Sequence, residues 1–379
     1  MRIDLFHNIR WSRYKAAVFA ELHHLAFADA VDMRITQIAD TSVERVALSG
    51  VDLSYQNYPH TLLFEGSYQS IPKWKLMVML FRRVWRSDAD LILMPGFSTP
   101  EHWAMMLAAV LRRKRRATFC DSTLQDRPQS IAKGLLKRVF FFGCHGVFCY
   151  GQRARQYLLH YGVPESRIHL RCQAAALPAN YTPAKALANR LQCSPPNQAP
   201  RFVYVGRLSP EKGLDTLMEA FAKARLSLNQ SRLVIVGDGP LLKLLQQQVH
   251  SLGLDTAVEF AGSLGEDALA EQYANATCLV LPSRSEPWGL VVNEALHYGC
   301  PVVVSDNCGC APELVIDDVT GYRFATGNSD NLHEQLIRLV KEFDSVQSTA
   351  ERCMDIISHF TPKRAAMQIL EGCKKVLSV

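Results

Sequence analysis

Short runs of aliphatic and β-branched residues recur along the chain and alternate with stretches whose apolar positions fall at helical spacing. In the first half, MRIDLFH (1–7), ADLILMPG (89–96), RATFCDS (116–122) and GVFCYG (146–151) read as buried strands. Between two of them, TPEHWAMMLAAVLRRK (99–114) reads as a helix with Thr99 as its cap and Pro100 at its first position. The second half repeats the rhythm in RFVYVGR (201–207), RLVIVGDG (232–239), AVEFAG (257–262), TCLVLPS (277–283) and PVVVSD (301–306). Apolar strands without internal alternation, separated by helices, predict parallel sheets covered on both faces. The polar, proline-rich NRLQCSPPNQAP (189–200) reads as a linker. The expected architecture is α/β, with two doubly wound Rossmann-like domains facing across a cleft. The expected bounds are 1–188, a linker at 189–200, a second domain at 201–355, and a closing helix at 356–379 that packs back on the first domain. Ligands of such sheets bind beyond the carboxyl ends of the strands.

Composition fits this picture: 379 residues, 48% hydrophobic and 21% charged, suit two globular domains. Eleven cysteines without a signal peptide in front of them are expected to be reduced thiols of a cytoplasmic protein. Cys300, Cys308 and Cys310 lack a fourth ligand at zinc-site spacing, so they are expected as small buried residues and no metal is expected. No apolar run approaches the roughly 18 residues of a membrane span. Charge, however, is uneven. Residues 1–200 hold 26 Lys and Arg against 14 Asp and Glu, and residues 201–379 hold 16 against 22. The positive half concentrates its cations in PKWKLMVMLFRRVWR (72–86), LRRKRRATF (111–119) and KGLLKRVFFFG (133–143). Each stretch alone reads equally as core residues with a solvated cationic face or as a surface for an anionic membrane. Their gathering in one half favours the membrane, and hence a peripheral protein at the inner face of the plasma membrane. No nucleic-acid motif accompanies the charge, so nucleic acid is not an expected partner.

Candidate chemistry falls at the strand ends of the second half. Arg207 and Lys212 lie in the loop of VGRLSPEKGLDTLMEAF (205–221), where a fork and a point charge make a diphosphate clamp. In SRSEPWGLVVNEALHYGCPVVVSD (283–306), Pro287 and Gly289 place Glu286 in a loop and Glu294 about one turn inside the following helix. The start of that helix, at Gly289, Leu290 and Val291, offers backbone N–H groups to an anion. Beside such cations the two carboxylates are hydroxyl acceptors rather than bases; otherwise Glu286 caps the helix and Glu294 is a surface residue. Glycines punctuate other strand ends, at Gly206, Gly237 and Gly262, yet no GxGxxG follows any strand, which disfavours an oxidoreductase using a dinucleotide.

GRLSPEKG, PSRSEPWGLVVNEALHYGCPVVVSD and APELVIDDVTGYRF occur in this order over about residues 200–325. Together they resemble the donor-binding domain of retaining family-4 glycosyltransferases of the GT-B fold. The resemblance implies that Arg207 and Lys212 contact the diphosphate of a UDP- or GDP-linked sugar, with Gly206 and Gly237 in the adjoining loops. It implies that Glu294 holds the ribose, Glu286 the hydroxyls of the transferred sugar, and the backbone of Gly289, Leu290 and Val291 the phosphates and sugar. It also implies no metal ion and no cofactor besides the donor. Three departures stand out. The loop after the first strand, HNIRWSRYKAAVFAEL, has no glycine pair, so Trp11, Ser12, Arg13 and Lys15 shape it. Cys120 or Asp121 stands where the family carries a histidine; Asp121 either orients an acceptor hydroxyl or caps the turn after its strand. Gly309-Cys310 replaces a usual glycine pair. His7 reads as a loop histidine, His297 as structural, and Trp288 as either sugar-pocket wall or core. The expected function is transfer of a sugar, with retention, to a saccharide or lipid-linked saccharide in envelope or extracellular polysaccharide synthesis, with Arg207, Lys212, Glu286 and Asp121 in catalytic roles. The other reading is a catalytically silent nucleotide-sugar-binding or partner-interaction protein on the same fold.

Overall fold

Each run read as a strand is one in the computed structural model, which describes residues 1–43, 53–126, 130–193, 198–343 and 345–378. The chain divides into two compact units. In the first, β1 (Arg2–Ile9), β2 (Asp32–Thr41), β3 (His60–Ser67), β4 (Leu91–Met94), β5 (Arg115–Cys120), β6 (Gly146–Tyr150) and β7 (Ile168–Arg171) form one sheet in the order β3-β2-β1-β4-β5-β6-β7. Every neighbouring pair runs parallel. Both faces are covered, so successive strand residues enter different cores. Ile3 and Leu5 pack with Phe19 and Leu22 of α1 (Arg13–Ala28) and with Ile369 of the C-terminal helix Pro362–Ser378. Phe6, Ile92 and Met94 pack on the opposite face, beneath α2 (Lys73–Arg86), α3 (Pro100–Leu111), α4 (Ile131–Phe142) and α5 (Gly151–His160). Thr99 occupies the N-cap position of α3 with Pro100 behind it, but its side chain makes no capping bond, contrary to its expected role.

The second unit contains α6 (Pro183–Cys193), β8 (Arg201–Val205), α7 (Leu214–Ser227), β9 (Arg232–Val236), α8 (Leu242–Ser251), β10 (Val258–Gly262), α9 (Glu266–Asn275), β11 (Cys278–Leu281), α10 (Leu290–His297), β12 (Val302–Ser305), α11 (Ala311–Leu314), β13 (Gly321–Phe324), α12 (Ser329–Glu342) and α13 (Val346–Ser358). Its parallel sheet has the order β10-β9-β8-β11-β12-β13. With both faces covered, the strands read as continuous apolar runs, and β11 and β12 are buried at every position.

The units divide between Ala176 and Leu177, and again between Phe360 and Thr361, rather than at the proline-rich stretch. The reason is α6, whose last turns use Asn189–Cys193. Its buried Arg190 donates from Nη1 to the carbonyls of Tyr273 at 2.9 Å, Ala274 at 3.2 Å and Ala276 at 2.6 Å, which ties the helix to the second unit. Residues 194–197 of the expected linker lie outside the described residues. The expected closing helix at 356–379 is also divided. Helix α13 ends at Ser358, and a new helix starts at Pro362, where a proline tolerates only the first turn. That last helix belongs to the first unit, where it lies against α1. Among the described residues no helix is long and apolar enough to cross a membrane.

Candidate functional site

Backbone hydrogen bonds between strand-end loops build the second unit's site. The Gly206 N–H donates to Val236 O at 3.0 Å, Leu208 N–H to Asp238 O at 2.9 Å and Gly237 N–H to Gly262 O at 2.8 Å, so the loops after β8, β9 and β10 are tied in sequence. Arg207 is exposed in the first of them, and its carbonyl accepts from the hydroxyl of buried Tyr204 at 2.8 Å. The loop then makes a 3₁₀ turn, Pro210–Lys212, and enters α7. Gly213 follows at φ +65°, and a Cβ there would lie 2.2 Å from Pro282 O, so only glycine lets this loop lie against the end of β11. The Arg284 and Ser285 N–H groups both donate to Glu211 O, at 2.8 and 3.3 Å, and hold it there. Arg284 also binds Asp215 through Nη2 at 2.6 Å. Burial works to raise the Asp215 carboxyl, but the Arg284 hydrogen bond and charge outweigh it and hold it below the usual carboxylate range.

This seam brings Lys212 to Glu286. The ammonium nitrogen lies 2.5 Å from Glu286 Oε2, with the two side chains 18% and 16% exposed. Glu286 is not the helix cap: Gly289 holds the N-cap position of α10, and Leu290 and Val291 open the helix, where N–H groups have no carbonyl a turn earlier. The loop is pinned from below, as Gly309 N–H donates to Glu286 O and Cys310 N–H to Trp288 O, both at 2.9 Å. Trp288 is a core residue, 4% exposed, whose Nε1 donates to buried Asn293 Oδ1 at 2.7 Å. Glu294, half-buried on α10, accepts from Tyr273 Oη at 2.8 Å. Burial, with the Glu294 charge next, pushes that phenol far above its usual range, so it stays a donor. Gly213, Arg284 and Tyr273 were not singled out from the sequence, whereas Gly309 was noted there only as half of a departed glycine pair. Of these, Gly213 carried a signal, since a glycine directly after a loop lysine and before a helix marks a close approach.

His297 is buried, and its carbonyl accepts from Tyr181 Oη at 2.8 Å. Burial depresses its ring from 6.5 to about 4. The unfolded chain therefore binds a proton here that the folded chain refuses, and stability falls as pH drops from about 6.5 towards about 4. Thermal unfolding across that range is expected to show this slope, reduced in His297→Gln.

In the first unit, a cavity of about 330 Å³ lies at the strand ends, lined by residues that include His7, Ser12, Tyr14, Lys15, Tyr68 and Asp121. His7 Nδ1 is 3.0 Å from Gln37 Oε1, and its ring meets Phe19 edge-on. Cys120 is buried in the core, where desolvation raises its thiol well above the ordinary range. Asp121 instead opens to the surface with a 43% exposed side chain. Two buried cations reach it: Arg171 Nη2 at 3.3 Å and Lys15 Nζ at 3.8 Å. Arg171 lies 3.6 Å from the Tyr150 ring centroid, and Lys15 donates to the Tyr150 hydroxyl.

Two parallel-sheet Rossmann-like domains of this order define the GT-B class. The solved structures agree: HepE of Anabaena in complex with UDP and glucose superposes with a TM-score of 0.73 at 20% identity over 99% of both chains. The lipopolysaccharide outer core galactosyltransferase WaaB, in its apo form, gives 0.72 at 14% identity over 99% of both. Residues 189–353 match the model of the family described as Glycosyl transferases group 1. Curated relatives match over part of the chain. One is the GDP-mannose-dependent alpha-(1-6)-phosphatidylinositol monomannoside mannosyltransferase of Mycobacterium tuberculosis, 33% identical over 39% of this chain and 40% of the relative. Another is the sulfoquinovosyl transferase SQD2 of Arabidopsis thaliana, 32% identical over 38% of this chain and 27% of the relative. The chain thus spans less than half the length of these relatives.

Proposed function

We propose that the protein is a retaining, metal-independent glycosyltransferase that moves a sugar from a UDP- or GDP-linked donor to a saccharide or lipid-linked saccharide. The observation that carries this reading is Lys212 against Glu286 beside the start of α10, within a group 1 domain. A cation and a hydroxyl acceptor 2.5 Å apart suit a site where phosphate joins sugar. Lys212, exposed Arg207 and the N–H groups of Leu290 and Val291 then neutralise the diphosphate as its bond to the anomeric carbon breaks. Glu286, relieved of its lysine by the donor phosphate, accepts from the sugar hydroxyls, and Glu294 accepts from the ribose while Tyr273 orients it. Gly206 and Gly237 serve this site by holding the loops that carry Arg207. The acceptor hydroxyl attacks on the face the phosphate leaves, and a phosphate oxygen takes its proton, so no side chain is needed as base. Asp121, fixed by Lys15 and Arg171 with one side open to the cavity, orients the acceptor.

UDP is present in the HepE complex, and GDP-mannose is the donor in the name of the mycobacterial relative, which supports these two nucleotides as donor classes. The place proposed for the enzyme is the cytoplasmic face of the plasma membrane, with an anionic lipid surface as partner and envelope or extracellular polysaccharide as product. A panel of nucleotide sugars tests the donor. The true donor at about a hundred times its dissociation constant stabilises the fold by about 2.7 kcal/mol, and transfer should proceed with EDTA present. A strict requirement for a divalent cation would overturn the cationic clamp. Stabilisation by a nucleotide sugar without any turnover would point to a silent binding protein.

A further inference from the structure

Helices α2, α3 and α4 present more apolar surface than the core uses. Helix α2 buries Leu76, Leu80 and Val84. Its next face, with Met77 and Phe81, joins Trp103, Ala104 and Leu107 of α3 and Leu136 of α4 around a groove of about 870 Å³. Beyond the groove, α4 exposes Ile131 at 96%, Leu135 at 63% and Phe142 at 85%, an apolar patch of the kind that marks an interaction surface. The lining of the groove includes Ser98, Thr99 and Pro100, which follow β4 at the same end of the sheet as Pro95 and Asp121 of the smaller cavity.

Charge selects the partner. Residues 73–86 carry five Lys and Arg and no acid, and residues 131–143 carry three and no acid. The single acid of α3, Glu101, is buried, and it is taken up by Tyr68 and by Lys73, one of those five cations. A second copy of this chain would oppose cations to cations, which disfavours self-association through this face. An anionic bilayer satisfies both halves: phosphates take the cations, whose stems lie along the surface, and hydrocarbon takes the exposed side chains.

We infer that α2, α3 and α4 dock on an anionic bilayer and that their groove takes the hydrocarbon chain of one of its lipids. This deepens the membrane partner proposed above, and it delivers a lipid-borne acceptor to the strand ends beside Asp121. Trp103 reports on the groove, since it lines the wall and packs edge-on against Phe140 at 5.1 Å. The test uses the full chain with vesicles of phosphatidylcholine and phosphatidylglycerol whose acyl chains carry bromine, a quencher of nearby tryptophan. Vesicles should quench the fluorescence, and Trp103→Phe should remove a large share of that quenching. Leu107→Glu, at a 53% exposed position, should cut both quenching and co-sedimentation by about tenfold or more, because it sets a charge in hydrocarbon. Phosphatidylcholine alone should bind little. Sedimentation without quenching of Trp103, undiminished quenching in Leu107→Glu, or no binding to the anionic vesicles would each overturn the inference. Stabilisation by the donor nucleotide, measured on the same samples, separates this outcome from failure of the glycosyltransferase reading, which would appear as its loss in the unmodified chain.

Discussion

Lys212→Ala is expected to lower sugar transfer by about a hundredfold to a thousandfold, the loss typical of removing one preorganised donor to a developing negative charge. The effect should fall chiefly on kcat, because the charge on the departing diphosphate is larger in the transition state than in the bound donor. The alternative is that the Lys212–Glu286 pair is only a structural ion pair at the rim of the domain. At 18% and 16% exposure it would then stabilise by about 1 kcal/mol, and its loss would show as a small shift in unfolding temperature with transfer preserved. The two readings separate on the kinetics, since one predicts a large loss of transfer and the other preserved transfer with only a small thermal shift. Lys212→Arg should retain part of the activity, as the charge survives while the compact ammonium is replaced by a wider fork. Combining Lys212→Ala with Glu286→Ala should cost less than the product of the separate losses, because the residues act on the same sugar phosphate. Transfer within about threefold of the parent in Lys212→Ala, well under the loss typical of such a donor, would remove this residue from the chemistry.

How much of this was legible along the chain depended on burial and on distance in sequence. Strands such as β9, β11 and β12 are covered on both faces and read as unbroken apolar runs. Strand β3, at the edge of the first sheet, has no fully buried residue, and β7 at the other edge is four residues long, so neither displayed a pattern to find. Lys212 and Glu286 stood out because each sits in a loop between a legible strand and a legible helix. The cluster around Asp121 did not, since Lys15, Tyr150 and Arg171 come from distant segments and only the sheet order brings them together. The choice between Cys120 and Asp121 likewise needed the pleat: Cys120 is the last residue of β5 and faces the core, which turns its neighbour outward. The boundary at Leu177 was hidden because a polar, proline-rich stretch and the end of an amphipathic helix share Asn189–Cys193.

The floor beneath Glu286 sets the second large effect, for Gly309→Ala. A Cβ at this position would lie 1.8 Å from Pro287 O, 2.6 Å from its carbonyl carbon and 3.1 Å from the Trp288 Cα, so the obstruction is backbone and cannot rotate away. Relief requires the 286–288 segment to lift, which stretches the Gly309–Glu286 and Cys310–Trp288 hydrogen bonds together. A forced backbone shift of this kind costs about 3 kcal/mol, which in a domain of this size lowers the unfolding temperature by roughly 6–12 °C. Transfer by the fraction that remains folded should also fall, because Glu286 moves with the segment away from Lys212. The neighbouring position behaves differently. Cys310 is fully buried, and its Sγ lies 3.4 Å from where a Cβ on Gly289 would stand, so it fills space beneath the start of α10. Cys310→Ala removes a sulfur from that packing without moving backbone and should cost about 1 kcal/mol with transfer nearly intact. Unfolding curves and single-turnover transfer on both variants measure the contrast. Equal behaviour of the two would mean that the backbone approach at Gly309 does not hold Glu286 in place.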